Sequence, residues 1–266
     1  MRQIKIQCPA KINLTLKVTG KRPDGFHNIE SIMQTISLYD YLSIKLEKAD
    51  PLNISLAGNS NEIPYNEKNL VYKAAKLFFD NYQNTNYSVE VYIDKSIPVS
   101  AGLAGGSTNA AGMLFGLNHL LNNPLSKPEI HSLAAQLGSD LNFCLEGGKQ
   151  MTSGRGEVLT PMKFEKFNVS LIKPLDLGIS AKEAYTRFSE RNYAKDTGRE
   201  NFVNDLEWGV INDYTQLQHI KERYPNSVMS GSGSTYYLVD ENFAQENGYW
   251  VKNGLESIPS GVCVVD

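Results

Sequence analysis

The feature that most constrains the fold of this chain is a run of small residues between a predicted strand and a predicted helix. The run covers Pro98–Thr108 and reads Pro-Val-Ser-Ala-Gly-Leu-Ala-Gly-Gly-Ser-Thr. Apolar residues alternate over 89–93, which predicts the strand, and recur at helical spacing over 110–121, which predicts the helix. A chain that turns from strand to helix through such small residues exposes its backbone at the turn.

The exposed backbone gives this run a specific chemistry. Small residues let a ligand approach the N–H groups closely, and the start of the helix adds unpaired donors and the positive end of a dipole. The run therefore predicts a site for a di- or triphosphate, with the hydroxyls of Ser107 and Thr108 in reach of phosphate or Mg²⁺. The plainer alternative is a flexible connection before a serine-capped helix. No lysine follows the glycines, which excludes a P-loop, and the glycine spacing excludes the dinucleotide fingerprint.

The rest of the chain mixes strands and helices without strict alternation, which predicts an α+β fold. Alternation in the opening segment predicts strands in which Lys11, Asn13 and Thr15 share the face away from the core. Further strands are predicted at Ile32–Leu38, Leu42–Leu46, Leu52–Leu56, Asn168–Lys173, Tyr236–Val239 and Val262–Val265. Helices are predicted at Asn69–Tyr82, from Ser126 to Gly138, at Ala181–Arg191, at Asn201–Tyr214 and before the last strand. The glycine-rich segment 147–156 predicts a seam, and hence two domains covering 1–153 and 154–266.

Composition excludes several classes of protein. A 266-residue chain with 41% hydrophobic and 21% charged residues is ordinary for a globular protein. The net charge of −3, without long runs of like charge, does not suit a nucleic-acid partner, and no apolar stretch has the length of a membrane span. The three cysteines lie far apart without CxxC spacing, so a reduced, cytoplasmic compartment is expected.

Three separated blocks resemble the GHMP kinases, a family defined by a proline, a Gly/Ala/Ser-rich loop and a helix. The blocks are Pro9–Leu14 continued by Lys21–His27, the Pro98–Thr108 loop with Leu137–Asp140, and the turn Met229–Ser234. The first block is most similar to the branch that acts on 4-diphosphocytidyl-2-C-methyl-D-erythritol. The turn at Met229–Ser234 is similar to a glycine turn that closes over the substrates.

The resemblance implies a two-domain α+β GHMP kinase fold, with a ribosomal-protein-S5-like N-terminal domain and a ferredoxin-like C-terminal domain. It implies ATP-dependent phosphorylation of the 2-hydroxyl of 4-diphosphocytidyl-2-C-methyl-D-erythritol, a step of non-mevalonate isoprenoid precursor biosynthesis. ATP and substrate are expected to meet between the domains. Mg²⁺ is expected with ATP, although no carboxylate pair identifies its ligands, and a monomer or weak homodimer is expected.

The resemblance also implies the catalytic residues. Asp140 matches the base that accepts the hydroxyl proton, and Lys11 matches the lysine paired with it. An ammonium beside Asp140 keeps the carboxylate ionised and stabilises charge on the transferring phosphoryl group. The plainer alternatives are a helix N-cap for Asp140 and a solvated strand lysine for Lys11.

The implied binding residues fall into two groups. Substrate-binding residues are Asn13, Phe26, His27 and Tyr185, with Phe26 stacking on cytosine, His27 bonding its edge and Tyr185 supplying a second ring. A surface loop for Phe26–His27 and a helix-core tyrosine are the alternatives. The ATP-binding residues are Pro98, Val99, Ser100, Ala101, Gly102, Leu103, Ala104, Gly105, Gly106, Ser107 and Thr108.

Three positions depart from the family pattern. Ala104 stands where a glycine is usual, Thr108 where a serine is usual, and Phe26 where a tyrosine is common. An alanine permits a tight loop if its φ is negative, and Phe26 keeps the stacking ring. We therefore expect slightly altered affinity and no loss of activity.

Two other functions compete with this interpretation. A sister GHMP kinase acting on homoserine, mevalonate or a sugar would keep the glycine loop but lack a cytosine pocket. A catalytically silent relative would bind ligand as a regulator, although the presence of both Lys11 and Asp140 argues against it.

Overall fold

A computed structural model describes residues 1–82, 86–191 and 198–265. The strands are β1 (Arg2–Lys21), β2 (His27–Lys48), β3 (Asn53–Gly58), β4 (Tyr87–Asp94), β5 (Lys149–Ser153), β6 (Val158–Pro161), β7 (Asn168–Pro174), β8 (Val228–Met229), β9 (Tyr236–Val239), β10 (Tyr249–Glu256) and β11 (Cys263–Val265). The helices are α1 (Leu70–Tyr82), α2 (Gly105–Leu120), α3 (Lys127–Leu137), α4 (Leu141–Glu146), α5 (Ala181–Glu190), α6 (Asp205–Val210) and α7 (Thr215–Arg223), with short 3-10 turns at Arg199–Asn201 and Ile211–Asp213.

The first sheet is built on the long antiparallel hairpin of β1 and β2. Its strand order is β11-β1-β2-β4-β3, and β5 and β6 extend it from β2. Helices α1 to α4 supply apolar side chains to one core with β1, β2 and β4. Helix α2 lies very close to the sheet, because a Cβ on Gly112 would stand 2.5 Å from the Cys8 Sγ atom. This packing fixes the middle of α2 against the sheet.

The second sheet is antiparallel, with order β10-β7-β9-β8. In chain order the strands are arranged 4-1-3-2, as in a ferredoxin-like domain, with α5 to α7 between the first two strands. Residues 240–248, between the third and fourth strands, contain no helix. The helix predicted before the last strand is therefore wrong, and β10 occupies part of that segment.

A third apolar cluster joins the two sheets. Ala10 and Ile12 of β1 pack there with Val169 and Leu171 of β7 and with Tyr237 of β9. The middle of the β1–β2 hairpin therefore has helices on one face and the second sheet on the other. Such covering on both faces leaves little of this segment exposed.

The structure confirms the predicted α+β class and corrects several elements. Helices α1, α3 and α5 and strands β3, β4, β7 and β9 lie where periodicity predicts them. The short strands predicted over 32–46 are one continuous β2, and the opening strands form one β1. The helix predicted at Asn201–Tyr214 is a short α6 between two 3-10 turns.

The predicted domain boundary at 153/154 lies in the turn of the β5–β6 hairpin. Ser153 pairs with Val158, so the first sheet continues past the boundary, and β11 returns to that sheet at the end of the chain. The division into domains stays a prediction. Among the described residues, no helix has the length and apolar character needed to cross a membrane.

Candidate active site

A cleft of about 1180 Å³ lies between the two sheets, and the predicted site residues meet there. Its lining includes Lys11, Asn13, Phe26, His27, Asp140 and Tyr185. All residues of the predicted phosphate loop line it except Val99 and Thr108. Thr108 is fully buried, so its hydroxyl does not face the cleft as the sequence suggested.

The phosphate loop owes its shape to left-handed backbone at three positions. Ser100, Gly102 and Ala104 have φ values of 50°, 72° and 59°. Ala104 therefore does not keep the negative φ expected of it, because the chain must reverse sharply before α2 begins. The first backbone bond of α2 runs from the N–H of Thr108 to the carbonyl of Ala104, so the N–H groups before it have no partner within the helix.

A buried ion pair that sequence reasoning missed anchors this loop. Asp40 on β2 accepts hydrogen bonds from the N–H groups of Ser96 and Ile97 at 2.7 and 2.8 Å. Its other oxygen lies 2.8 Å from the Lys95 Nζ atom, and burial lowers the pKa of that lysine. The available signal was an aspartate within the otherwise alternating apolar pattern of β2.

Lys11 and Asp140 stand together at the centre of the cleft. The Lys11 Nζ atom lies 3.7 Å from Asp140 Oδ2, and the lysine side chain is only 4% exposed against 30% for the aspartate. The ammonium also donates to Asn13 Oδ1 at 2.6 Å and to the Gly102 carbonyl at 3.0 Å. The solvated-lysine alternative is therefore wrong.

A register shift explains why Lys11 lies inside the molecule. Ile6 and Cys8 face the helices, whereas Ala10 and Ile12 belong to the cluster with the second sheet. The β1–β2 pairing slips between Pro9 and Ala10, so the alternation changes face there, and it slips again between Asn13 and Thr15. Thr15 therefore does not line the cleft with Lys11 and Asn13.

Asp140 does not act as the helix cap that its position suggested. It precedes α4 but has helical φ and ψ of −84° and −10°, and its carboxylate accepts no capping hydrogen bond. An N-cap residue normally has extended backbone and an occupied side-chain oxygen. The carboxylate is thus available to the cleft.

The predicted base-binding residues lie at one end of the cleft. The rings of His27 and Tyr185 stack with centroids 5.1 Å apart and planes 13° apart, and His27 Nε2 is 2.9 Å from Ser189 Oγ. Burial lowers the pKa of His27, and the positive charge of Lys21 lowers it further. The lowered pKa favours a neutral imidazole near pH 7. Phe26 is 52% exposed, and the Arg155 guanidinium lies 5.0 Å from its ring centroid.

Besides the buried Asp40–Lys95 pair behind the loop, sequence reasoning missed several residues that line the cleft. Those with polar or charged side chains include Lys21, Ser139, Arg155, Lys182, Ser189 and Glu190. Arg155 stands between two glycines in the segment interpreted as a seam, and that interpretation concealed its place in the cleft.

The glycine turn that follows β8 reaches the phosphate loop. Ser230 Oγ donates to the Gly102 carbonyl at 3.0 Å, and a Cβ on Gly102 would stand 2.0 Å from the Ser230 carbonyl oxygen. Asn204, fully buried at the start of α6, donates to the carbonyls of Met229 and Gly231 at 2.8 and 2.7 Å. The turn is therefore held from both sides.

The cleft offers few protein ligands for a metal. Over 1–82, 86–191 and 198–265, no group of three or more His, Cys, Asp or Glu side chains could hold an ion. A Mg²⁺ ion that arrives with phosphates needs only one or two carboxylates, and Asp140 beside the phosphate loop meets that requirement.

Comparison with known proteins identifies the family. The profile described as "GHMP kinases N terminal domain" matches residues 69–148. A relative from Clostridium perfringens, named 4-diphosphocytidyl-2-C-methyl-D-erythritol kinase, is 38% identical over 88% of each chain. A crystal structure of 4-(cytidine 5'-diphospho)-2C-methyl-D-erythritol kinase superposes with a TM-score of 0.71 at 27% identity, covering 88% of this chain and 89% of that one.

A homoserine kinase from Cytophaga hutchinsonii has a TM-score of 0.73 at 14% identity, covering 100% of this chain and 98% of that one, and so shares the fold. The high identity over nearly the whole length separates the Clostridium relative from such structural neighbours. The chain belongs to the 4-diphosphocytidyl-2-C-methyl-D-erythritol kinase family of the GHMP kinases.

Proposed function

We propose that this chain transfers the γ-phosphoryl group of ATP to the 2-hydroxyl of 4-diphosphocytidyl-2-C-methyl-D-erythritol. The observation that carries the proposal is the position of the Lys11–Asp140 pair beside the phosphate loop in one cleft. Phosphoryl transfer requires a phosphate cradle, a group that accepts the hydroxyl proton and a positive charge near the transferring group. These residues supply all three.

In this proposal the phosphate loop holds the triphosphate. The free N–H groups at the start of α2, where Gly106 is exposed and Ser107 half-buried, donate to phosphate oxygens. The Asp40–Lys95 pair keeps the loop in place from behind. The positive φ values at the loop turn its backbone toward the ligand without a side chain in the way.

Asp140 accepts the proton of the substrate hydroxyl while that oxygen forms its bond to the γ-phosphorus. The bond between γ-phosphorus and the β–γ bridging oxygen breaks, and ADP leaves with the electron pair. Lys11, fixed by Asn13 and Gly102, stabilises the charge on the phosphoryl oxygens. Mg²⁺ bound to the phosphates would supply further charge stabilisation, with Asp140 and Ser107 as the protein oxygens available to it.

The cytosine is proposed to bind at the end of the cleft that carries Phe26, His27 and Tyr185. Phe26 is exposed to the cleft and free to stack on a base, and a neutral His27 can accept or donate at the base edge. Homoserine and mevalonate have no aromatic base that could stack on such a cluster of rings. This cluster therefore favours the cytidylyl substrate.

The pathway and the compartment complete the proposal. Phosphorylation of this substrate belongs to non-mevalonate isoprenoid precursor biosynthesis. The free cysteines, of which Cys8 and Cys144 are buried, support the reduced cytoplasmic compartment expected from the sequence. A monomer or weak homodimer stays a prediction.

The test is an ADP-release assay on the purified chain with each candidate acceptor in turn. We expect release with ATP, Mg²⁺ and the cytidylyl substrate, no release with homoserine, mevalonate or simple sugars, and inhibition by CDP that is competitive with the cytidylyl substrate. Release with another acceptor and no effect of CDP would assign the chain to a sister kinase. ATP binding without release for any acceptor would support a silent binding protein.

A further inference from the structure

The ammonium of Lys11 has two of its three protons accepted by named neighbours. A lysine ammonium carries three N–H donors and accepts nothing. Asn13 Oδ1 and the Gly102 carbonyl accept two of them at 2.6 and 3.0 Å, whereas Asp140 Oδ2 lies 3.7 Å from the Lys11 Nζ atom, beyond hydrogen-bond distance. Two acceptors thus decide where the remaining proton points.

Both acceptors are held in turn by serine hydroxyls. Ser31 on β2 donates its proton to the Thr15 carbonyl at 2.5 Å, so its oxygen accepts from Asn13 Nδ2 at 2.8 Å. That bond presents Asn13 Oδ1 to the lysine, whereas a rotated amide would set Nδ2 against another donor. Ser31 and Asn13 are 0% and 1% exposed, so water does not compete for these groups.

The second serine acts on the other acceptor. Ser230 donates to the Gly102 carbonyl at 3.0 Å, and its oxygen lies 3.4 Å from the N–H of Asn13. It is fully buried and comes from the glycine turn of the second sheet, whereas Ser31 comes from the first. The two serines therefore reach the acceptors of Lys11 from different sheets.

We propose that Ser31 and Ser230 are positioning residues for catalysis, which fix Asn13 and the Gly102 carbonyl so that Lys11 directs its third proton toward Asp140 and the transferring phosphoryl group. This inference rests on the proposed function. Neither serine touches the reacting atoms. Each acts through an acceptor of the lysine, and loss of either lets the ammonium rotate away from the phosphoryl group.

The first test compares kcat with KM in single variants. We expect Ser31→Ala and Ser230→Ala each to lower kcat about tenfold, while KM for both substrates stays within about threefold, because a buried hydrogen bond to a charged network is lost. Ser31→Cys keeps the unbranched side chain, with a larger sulfur in place of oxygen, but offers only a weak acceptor, so it should behave as Ser31→Ala does. A full-activity Ser31→Cys variant would overturn the hydrogen-bond argument.

Matched controls remove nearby hydroxyls that do not reach the lysine. Thr152→Val removes a buried hydroxyl that donates to the Ser31 carbonyl, and Ser227→Ala removes one that donates to the Tyr224 carbonyl beside β8. We expect kcat within about twofold of the wild type in both. Losses in these controls equal to those in the serine variants would mean that packing alone is affected.

The second test asks whether the serines act through Lys11. In a Lys11→Met background the serine substitutions should cause no further loss of kcat, because residues that act as a unit are not additive. Equal fold-losses in both backgrounds would contradict the proposal.

A substrate-free readout separates this inference from the proposed function. The ¹H–¹⁵N NMR signal of the Lys11 ammonium, assigned by its loss in Lys11→Met, should be visible in the folded wild type and broadened by solvent exchange in Ser31→Ala and Ser230→Ala. The wild type could show the ammonium signal, and both serine variants its broadening, without any phosphorylation of the cytidylyl substrate. In that case the proposed function fails, whereas the hydrogen-bond arrangement around Lys11 stands. An unchanged signal in both variants would overturn the inference.

Discussion

At the residue scale, the two charged groups of the site differ in their access to water. Lys11 has a side chain only 4% exposed and donates to Asn13 and to the Gly102 carbonyl, whereas the Asp140 side chain is 30% exposed. A base must receive a proton from a ligand and pass it to solvent, so this difference suits the proposed roles. The ring cluster shows a similar division, because His27 is held by Tyr185 and Ser189, whereas Phe26 is 52% exposed and has only the Arg155 guanidinium described against its ring.

Asp140→Asn should lower kcat about 100- to 10,000-fold, because general base catalysis typically contributes that much. The affinity for ATP, measured by calorimetry, should stay within a few-fold of the wild type. The free energy of unfolding should change little in Asp140→Asn, because the Asp140 side chain caps no helix. As a control, Ser180→Ala removes the side chain that caps α5 and should lower the free energy of unfolding by about 1 kcal/mol. A variant that keeps most of its kcat would show that another group is the base.

Phe26→Ala should raise KM for the cytidylyl substrate roughly 5- to 150-fold, the equivalent of about 1–3 kcal/mol of base stacking. KM for ATP should change far less, and His27→Ala should show the same selectivity because the base edge loses a partner. Steady-state kinetics with each substrate varied separately measures this. The exposed Tyr92→Ala on β4 is the control, and equal changes in both KM values would reduce Phe26 and His27 to a surface loop.

At the element scale, the phosphate loop is shaped by what surrounds it. The Asp40–Lys95 pair holds its start, and Gly105, which begins α2, would place a Cβ 2.8 Å from Lys95 Nζ. A side chain at Gly105 would therefore collide with Lys95 of the Asp40–Lys95 pair, and not with phosphate bound in the cleft. Ala104 is the only alanine with a left-handed backbone among the described residues, and it lies where the loop enters α2.

Ala104→Gly should leave the free energy of unfolding unchanged or raise it by up to about 1 kcal/mol, because glycine adopts positive φ without the cost that an alanine meets. Ala110→Gly within α2 should instead destabilise the protein by about 1 kcal/mol or more. Urea denaturation of both variants measures the contrast. Similar losses at the two positions would show that Ala104 is not strained.

At the scale of the whole molecule, the site exists because two sheets meet. The first sheet supplies Lys11 and Asn13, the second supplies the glycine turn, and an apolar cluster holds the sheets together beneath them. Asp205, fully buried at the start of α6, accepts from the N–H of Val18 on β1 at 2.7 Å and adds a polar tie. Docking of the sheets and assembly of the site are therefore one event.

Gly102→Ala should disturb this docking. The new Cβ would collide with the Ser230 carbonyl oxygen at a position with φ of 72°, so we expect a loss of more than about 2 kcal/mol in unfolding free energy. Gly248→Ala has a similar φ of 85° and nothing within 4 Å, so it should cost only about 1 kcal/mol. Chemical denaturation of both variants separates collision from backbone strain, and equal costs would contradict the contact between loop and turn.

Local periodicity and composition were enough to predict part of this fold and part of its site. The amphipathic helices α1 and α3, the strand-to-helix turn at Pro98–Thr108 and the pairing of Lys11 with Asp140 in one site were all predictable, the last through family resemblance. Such features depend on neighbours in the chain or on motifs that keep their spacing.

The way in which these parts face one another depends on contacts between residues that are distant in the chain. The register shift at Pro9–Ala10 turns Lys11 toward the interior. The alternation of residues in β1 could not predict this shift, because a bulge depends on how the strand pairs with its partner. The Asp40–Lys95 anchor, the left-handed Ala104 and the strand β10 depend likewise on residues distant in the chain. Contacts across such distances outweigh local propensity, and they fixed the geometry of the cleft.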